Sequence, residues 1–288
     1  MKEIKRGYVT TKECQLHYYE SGTGKPMILL HPTPNSQFFL KTMPFLSKDY
    51  RVFSIDTPGY GNSTRPKKPF KTLQEYGNQI VSFMDAKKLK SVILLGHMTG
   101  AVTALDVALK GEKYIKTLIL GELIDWSKTS EPHKHHDNQF ISPINNGKHL
   151  LKIWNKYSDM IGTLEIADVQ SRFLTEFLAE YGSSLYPLNN NEKEQTHMNF
   201  NWQDSTPKTM FKYNVTKSLK KLTVPTLLLC GNSGSLRSGA RPFDEQQSLL
   251  KLIKNGYAAT IKDYDHAAPL LNPELYAFSI LSFLNNLK

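Results

Sequence analysis

Cysteine is almost missing from this chain: Cys14 and Cys230 are the only two in 288 residues. Two thiols, each expected inside a strand, build no disulfide framework and match no zinc-ligand spacing. Long apolar runs are missing as well. No segment approaches the ~20 residues that cross a bilayer, and Met1–Gly7 carries no apolar signal region. A cytoplasmic protein with reduced thiols and no membrane partner is the expectation. Acidic residues fall short of basic ones, 26 against 36, which leaves a net charge of +10. The lysines are scattered, however, and no basic block interleaved with aromatics appears, so no nucleic-acid partner is expected. Attraction to anionic ligands remains open. Repeats and low-complexity tracts are absent. What is present is a globular composition, 40% hydrophobic and 22% charged, long enough to bury a large core and a pocket.

Apolar runs at 16–20, 26–31 and 50–56 read as strands, with a polar helix-forming segment between the last two. Residues 72–88 carry helical spacing, with Leu73, Tyr76, Ile80, Phe83 and Met84 on one face. Strands follow at 91–95, 115–120, 224–231 and 259–264. Helices are expected at 101–109, from Pro242 to about Lys254, and after an Asn272 N-cap with Pro273 at the first position. The face of that last helix is drawn through Leu275, Phe278, Leu281 and Leu284. Strands alternating with helices point to an α/β fold, a mostly parallel sheet flanked by helices. The alternation stops from 125 to 215, where helices are expected at 147–154 and 169–178. The organisation is therefore a core in two parts, 1–124 and 216–288, around a helical cap of about ninety residues, the size of a small domain.

The most informative motif is Gly96-His97-Met98-Thr99-Gly100, between an apolar strand and a small-residue helix. A G-x-nucleophile-x-G turn there lifts a serine, cysteine or aspartate above the sheet. Here the tip is Met98, whose thioether has no proton to lose. His97 beside it reads as structural.

In order along the chain, further segments carry a likeness. His31-Pro32-Thr33-Pro34 matches an H-G-x-P loop with proline for glycine, and Asp56 to Ser63 matches D-x-P-G-x-G-x-S. Residues 224–231 look like the strand before an acid loop, and Asp265-His266 like a catalytic-histidine turn. On these segments the chain resembles the α/β-hydrolase superfamily, specifically its capped branch of epoxide hydrolases, haloalkane dehalogenases and related ester hydrolases.

The resemblance implies roles residue by residue. Met98 holds the nucleophile's place, and the family's acid falls on Gly234, so a conventional serine esterase conflicts at two of three triad positions. His266 remains as the base. Glu122 resembles the alternative acid that some dehalogenases place after the strand following the elbow helix; it reads equally well as a loop cap, with Asp125 a weaker rival. The N–H groups of Thr33 and Thr99 are the implied oxyanion donors. His31, Pro32, Trp126 and Trp154 are candidates for the substrate pocket, and one of Tyr157, Tyr181, Tyr186 or Tyr213 for a cap tyrosine facing it. The cluster His133-Lys134-His135-His136-Asp137 reads as a solvated loop, since its spacing fits no standard site and its lysine repels cations. No metal and no cofactor are expected.

Two functions follow. One is an enzyme in which His266, oriented by Glu122, moves a proton or activates water without a covalent intermediate, giving hydrolysis or a lyase or isomerase reaction. Oxyanion stabilisation and binding alone leave on the order of 10³-fold catalysis when a serine triad is removed. The other is a non-catalytic protein that binds a small ligand or partner, with Met98 filling the dead site. Substrate and oligomeric state are not legible.

Overall fold

The computed structural model describes residues 2–32, 36–64, 66, 70–111, 113–128, 146–148, 150–151, 154–155, 166, 170, 209–233, 241–264 and 267–287. Eight strands form one sheet in the order β1-β2-β4-β3-β5-β6-β7-β8. They are β1 Lys5–Thr10, β2 Gln15–Ser21, β3 Lys25–Leu30, β4 Tyr50–Ile55, β5 Val92–His97, β6 Ile115–Gly121, β7 Thr226–Gly231 and β8 Gly256–Ile261. The β1–β2 and β2–β4 pairings are antiparallel and the remaining five are parallel. The expected α/β architecture is the one observed.

Among the described helices are α1 Met43–Leu46, α2 Leu73–Ala86, α3 Thr99–Lys110, α4 Val215–Leu219, α5 Pro242–Leu250, α6 Ala268–Leu271 and α7 Pro273–Asn286. Two cores lie on opposite sides of the sheet, because successive strand residues point to opposite faces. The alternation is plain on β7: Leu228 packs with α2 and α3, whereas Leu227 and Leu229 pack with α7. Met210 and Tyr213 already belong to the α2–α3 core. No described helix is long and apolar enough to cross a membrane.

Most elements fall where hydrophobic spacing places them. All five residues assigned to the buried face of α2 are buried, and a capping box of Thr72 and Glu75 starts the helix. Some expectations need correction. β1 was not anticipated, because only one of its six residues is buried and an edge strand needs no apolar pattern. Cys14 is not inside a strand; it closes the β1–β2 turn, where its carbonyl accepts from the Thr11 N–H at 2.8 Å. The polar segment before β4 forms only a 3-10 turn, Ser36–Phe39, and the four-residue α1. The buried stripe of α7 runs through Tyr276, Ala277, Ile280, Phe283 and Leu284, whereas Phe278 is 64% exposed. That helix is apolar on nearly every side, so periodicity alone selects no face. The strand expected at 259–264 lies at 256–261. The helices expected at 147–154 and 169–178 lie largely outside the described residues.

Candidate active site

In open α/β sheets ligands bind beyond the carboxyl ends of the parallel strands, and the candidate residues gather there. β3 and β5 are paired through Leu30 and Gly96, and β5 and β6 through His97 and Gly121. The residues that follow these pairs, His31, Met98 and Glu122, therefore emerge side by side at one edge of the sheet.

Met98 takes φ 51° and ψ −113° between β5 and α3, a conformation costing of order 1–3 kcal/mol for a side-chain-bearing residue. Close packing of the flanking glycines imposes it. A Cβ on Gly96 would lie 2.1 Å from the Gly100 carbonyl oxygen, and one on Gly100 would lie 2.0 Å from the Leu30 carbonyl oxygen. The start of α3 is pressed against the ends of β3 and β5, and the residue in between must turn sharply. Its N–H donates to the Gly121 carbonyl at 2.8 Å. Since the mirror conformation is an ordinary extended one, glycine enters this turn without strain. Met98→Gly is accordingly expected to leave stability unchanged or raised by about 1 kcal/mol, the released strain offsetting glycine's entropy; urea unfolding would measure it.

Thr99 opens α3, where the partial positive charge of a helix N-terminus favours an anion. Glu122 also has positive φ, 51°, and is 4% exposed. Its N–H donates to the Leu229 carbonyl at 2.9 Å, one further rung of the β6–β7 ladder. The chain then turns away, and the Oε1 of Glu122, rather than a backbone carbonyl, accepts from the Gly231 N–H at 2.7 Å. A buried carboxylate is thus fixed at the ends of β6 and β7, next to the elbow. Burial, then the Glu122 charge, push the thiol of Cys230 beside it up to about 12.

His31 is 1% exposed and engaged on both ring nitrogens. Nε2 accepts from the Thr57 N–H at 3.0 Å, so Nδ1 carries the proton and donates to the Pro32 carbonyl at 2.7 Å. Burial holds its pKa below the usual histidine value, against the opposing pull of Asp56 and the Pro32 carbonyl. His31 thereby shapes the loop after β3 from within instead of presenting a nitrogen to a ligand, and Pro32 next to it is buried. Trp126 stacks edge-on against Phe211 at 6.1 Å beside the α2–α3 core. Trp154 is half-buried. Asp125 is drawn elsewhere than the acid position: its carboxylate accepts from Ser127 Oγ at 2.6 Å and Thr216 Oγ1 at 2.7 Å. Tyr213 is buried among core residues, and burial raises its phenol far above the usual value.

Thr33, Gly234 and His266 lie outside the described residues, as do Tyr157, Tyr181, Tyr186 and the segment His133–Asp137. The chain on either side of His266 is placed. The Tyr264 carbonyl accepts from the Ser233 N–H at 3.1 Å, just beyond β7 and β8, and Ala267 is buried. Among the described residues no group of three His, Cys, Asp or Glu side chains is arranged to hold a metal.

Two groups organise the site without having been singled out for it. Asp56, 1% exposed, accepts from the Ser36 N–H at 2.8 Å and the Asn62 N–H at 2.9 Å, and lies 2.8 Å from His17 Nδ1. It ties the loop after β3 to the loop after β4. Tyr276 reaches in from α7, with its hydroxyl 3.1 Å from His97 Nδ1. The motif pointed to Asp56 without a role; nothing in the apolar pattern of α7 pointed to Tyr276.

The family described as "alpha/beta hydrolase fold" matches residues 25–236. Bifunctional epoxide hydrolase 2 of Mus musculus is 31% identical over 115 residues, which cover 37% of this chain and 20% of that protein. The chain's match thus spans only about a fifth of that relative's length. An uncharacterized hydrolase, YugF, of Bacillus subtilis (strain 168) is 21% identical over 289 residues, covering 98% of this chain and 97% of the relative. Among solved structures, a thermophilic esterase from Thermogutta terrifontis superposes with a TM-score of 0.75 at 18% identity, covering 98% of both chains. At that identity the likeness is one of fold.

Proposed function

This chain belongs to the alpha/beta hydrolase fold family, and on that premise we propose that it hydrolyses a small carbonyl-bearing molecule without a covalent intermediate. Met98 stands where an acyl-accepting nucleophile belongs, and a thioether cannot supply one. His266, oriented by Glu122, acts as general base: it takes a proton from water, the hydroxide adds to the carbonyl carbon, and the same proton returns to the leaving group. The N–H groups of Thr33 and Thr99 hold the oxyanion. The molecule sits between the core and residues 125–215, with no cofactor, metal or nucleic acid.

The observation that carries this reading is the Glu122 carboxylate, buried and held by the Gly231 N–H at 2.7 Å beside the elbow. Burying a carboxylate is costly unless it is hydrogen-bonded. Its Oε1 caps β7, and Oε2 is the atom that would orient His266. The hydrolase relatives agree with the reaction class.

Labelling with a fluorophosphonate probe tests the reading. The native protein is expected to remain unlabelled, and labelling of any serine in it would overturn the role given to Met98. Met98→Ser is expected to become labelled at position 98, because the elbow geometry is already in place. Adding Glu122→Gln to that variant should slow labelling at least tenfold, in line with loss of the group that orients a catalytic histidine. An unchanged rate would reduce Glu122 to a strand cap and favour the non-catalytic ligand-binding alternative.

A further inference from the structure

We propose that Tyr276 on α7 is a positioning residue of this site: it tethers His97 and thereby fixes the elbow tip relative to Glu122. The inference rests on the reading that position 98 and Glu122 belong to one site. His97 precedes the tip directly, is fully buried, and packs against Phe38, Phe39 and Tyr276, with ring centroids 5.2, 6.4 and 5.7 Å away. Only the tyrosine among these three neighbours offers its ring a hydrogen bond. The bond passes over Gly121, where a Cβ would lie 2.5 Å from His97 Nδ1 and 3.0 Å from the Tyr276 hydroxyl oxygen.

Gly121 thus does two things at once. Its bare Cα leaves room for the His97–Tyr276 bond, and its carbonyl holds the Met98 N–H at 2.8 Å. The next residue is Glu122. A single crossing point therefore joins β5, β6 and α7 where the tip and the carboxylate diverge. Burial, and then the nearby Glu122 charge, hold the Tyr276 phenol well above its ordinary pKa, so it keeps its proton across the working pH range. A fixed phenol dipole on a buried ring fits a positioning role, because rotamers locked by their surroundings hold a site's geometry.

The test compares Met98→Ser with the same variant carrying Tyr276→Phe, which removes one oxygen and keeps the ring. Fluorophosphonate labelling is expected to slow tenfold or more, with circular dichroism unchanged. A rate within twofold would overturn the proposal. The second readout needs no reactivity: the ¹⁵N signal of His97 Nδ1 in the otherwise native protein should move on Tyr276→Phe, and an unmoved signal overturns the tether. If Met98→Ser is never labelled while that signal does move, the hydrolytic reading fails and the tether stands. Gly121→Ala, which drives a methyl between the two rings, should reproduce both effects.

Discussion

Gly100→Ala is expected to unfold this protein or leave it barely stable, with a loss of about 4 kcal/mol or more. The added Cβ would stand 2.0 Å from the Leu30 carbonyl oxygen, 2.5 Å from its carbon and 2.7 Å from the His31 carbonyl oxygen. These are backbone atoms of a central strand and the residue after it, fixed by parallel pairing with both β4 and β5, so no side chain can swing aside to make room. Relief requires α3 to lift from the sheet, and its face of Ala101, Val102, Ala104 and Leu105 would leave the core with it. Typical stabilities of 5–15 kcal/mol leave little after such a change. Gly147→Ala supplies the contrast. That glycine has φ +74° and, among the described residues, nothing within 4 Å of its Cβ position, so conformational strain alone should cost about 1 kcal/mol. Urea unfolding of the two variants separates close approach from backbone freedom, and equal midpoints would refute the packing argument.

Asp56→Asn is expected to cost about 3–5 kcal/mol, the range for breaking a buried pair by removing one partner. Oδ1 of Asp56 accepts from the Ser36 N–H, and Oδ2 both accepts from the Asn62 N–H and faces His17 Nδ1. An asparagine has one acceptor oxygen, so whichever way its amide turns, an NH₂ group meets a backbone N–H donor. Burial by itself would raise the Asp56 carboxyl, yet His17, His31 and the converging donors outweigh it and hold the pKa below the ordinary carboxylate value. The sign follows: the unfolded chain takes up this proton more readily, so the stabilisation is complete above about pH 4 and is lost as pH falls through the lower folded value. His31 is depressed in the same sense, and its contribution is complete above about pH 6.5 and falls below it. Through His31, denaturation midpoints measured from pH 8 to 3 should therefore begin to fall from about pH 6.5, above the range in which Asp56 titrates. Asp56→Asn should flatten the acidic part of the curve; an unaltered slope there would contradict the assignment.

Legibility in the sequence tracked burial. β4, β5, β6 and β7 are buried at nearly every position, and a fully buried strand leaves an apolar run that is hard to misread. β1 lies at the sheet edge, where the solvent tolerates Lys5, Arg6 and Tyr8, and so it left no trace. In the site, the elbow was legible because its two glycines are steric requirements. Glu122 was legible only through resemblance. That it takes a strand's last hydrogen bond with its side chain depends on its positive φ, and no local pattern encodes this for a glutamate. Tyr276 was hidden by its neighbours: in Leu-Tyr-Ala-Phe-Ser-Ile-Leu one aromatic looks like another until the fold shows which of them faces a histidine.

The Asp125 hydrogen bonds have a bearing on how this protein is built in evolution and in the laboratory. Asp125 clasps Ser127 as the chain departs and Thr216 after it returns, while Trp126 and Phe211 stack across the same spot. Residues 125–127 and 211–216 are thus held together at one place, the geometry that makes an insertion between two positions tolerable. Segments of other lengths can be spliced there at small entropic cost, since closing a loop grows only logarithmically with its length.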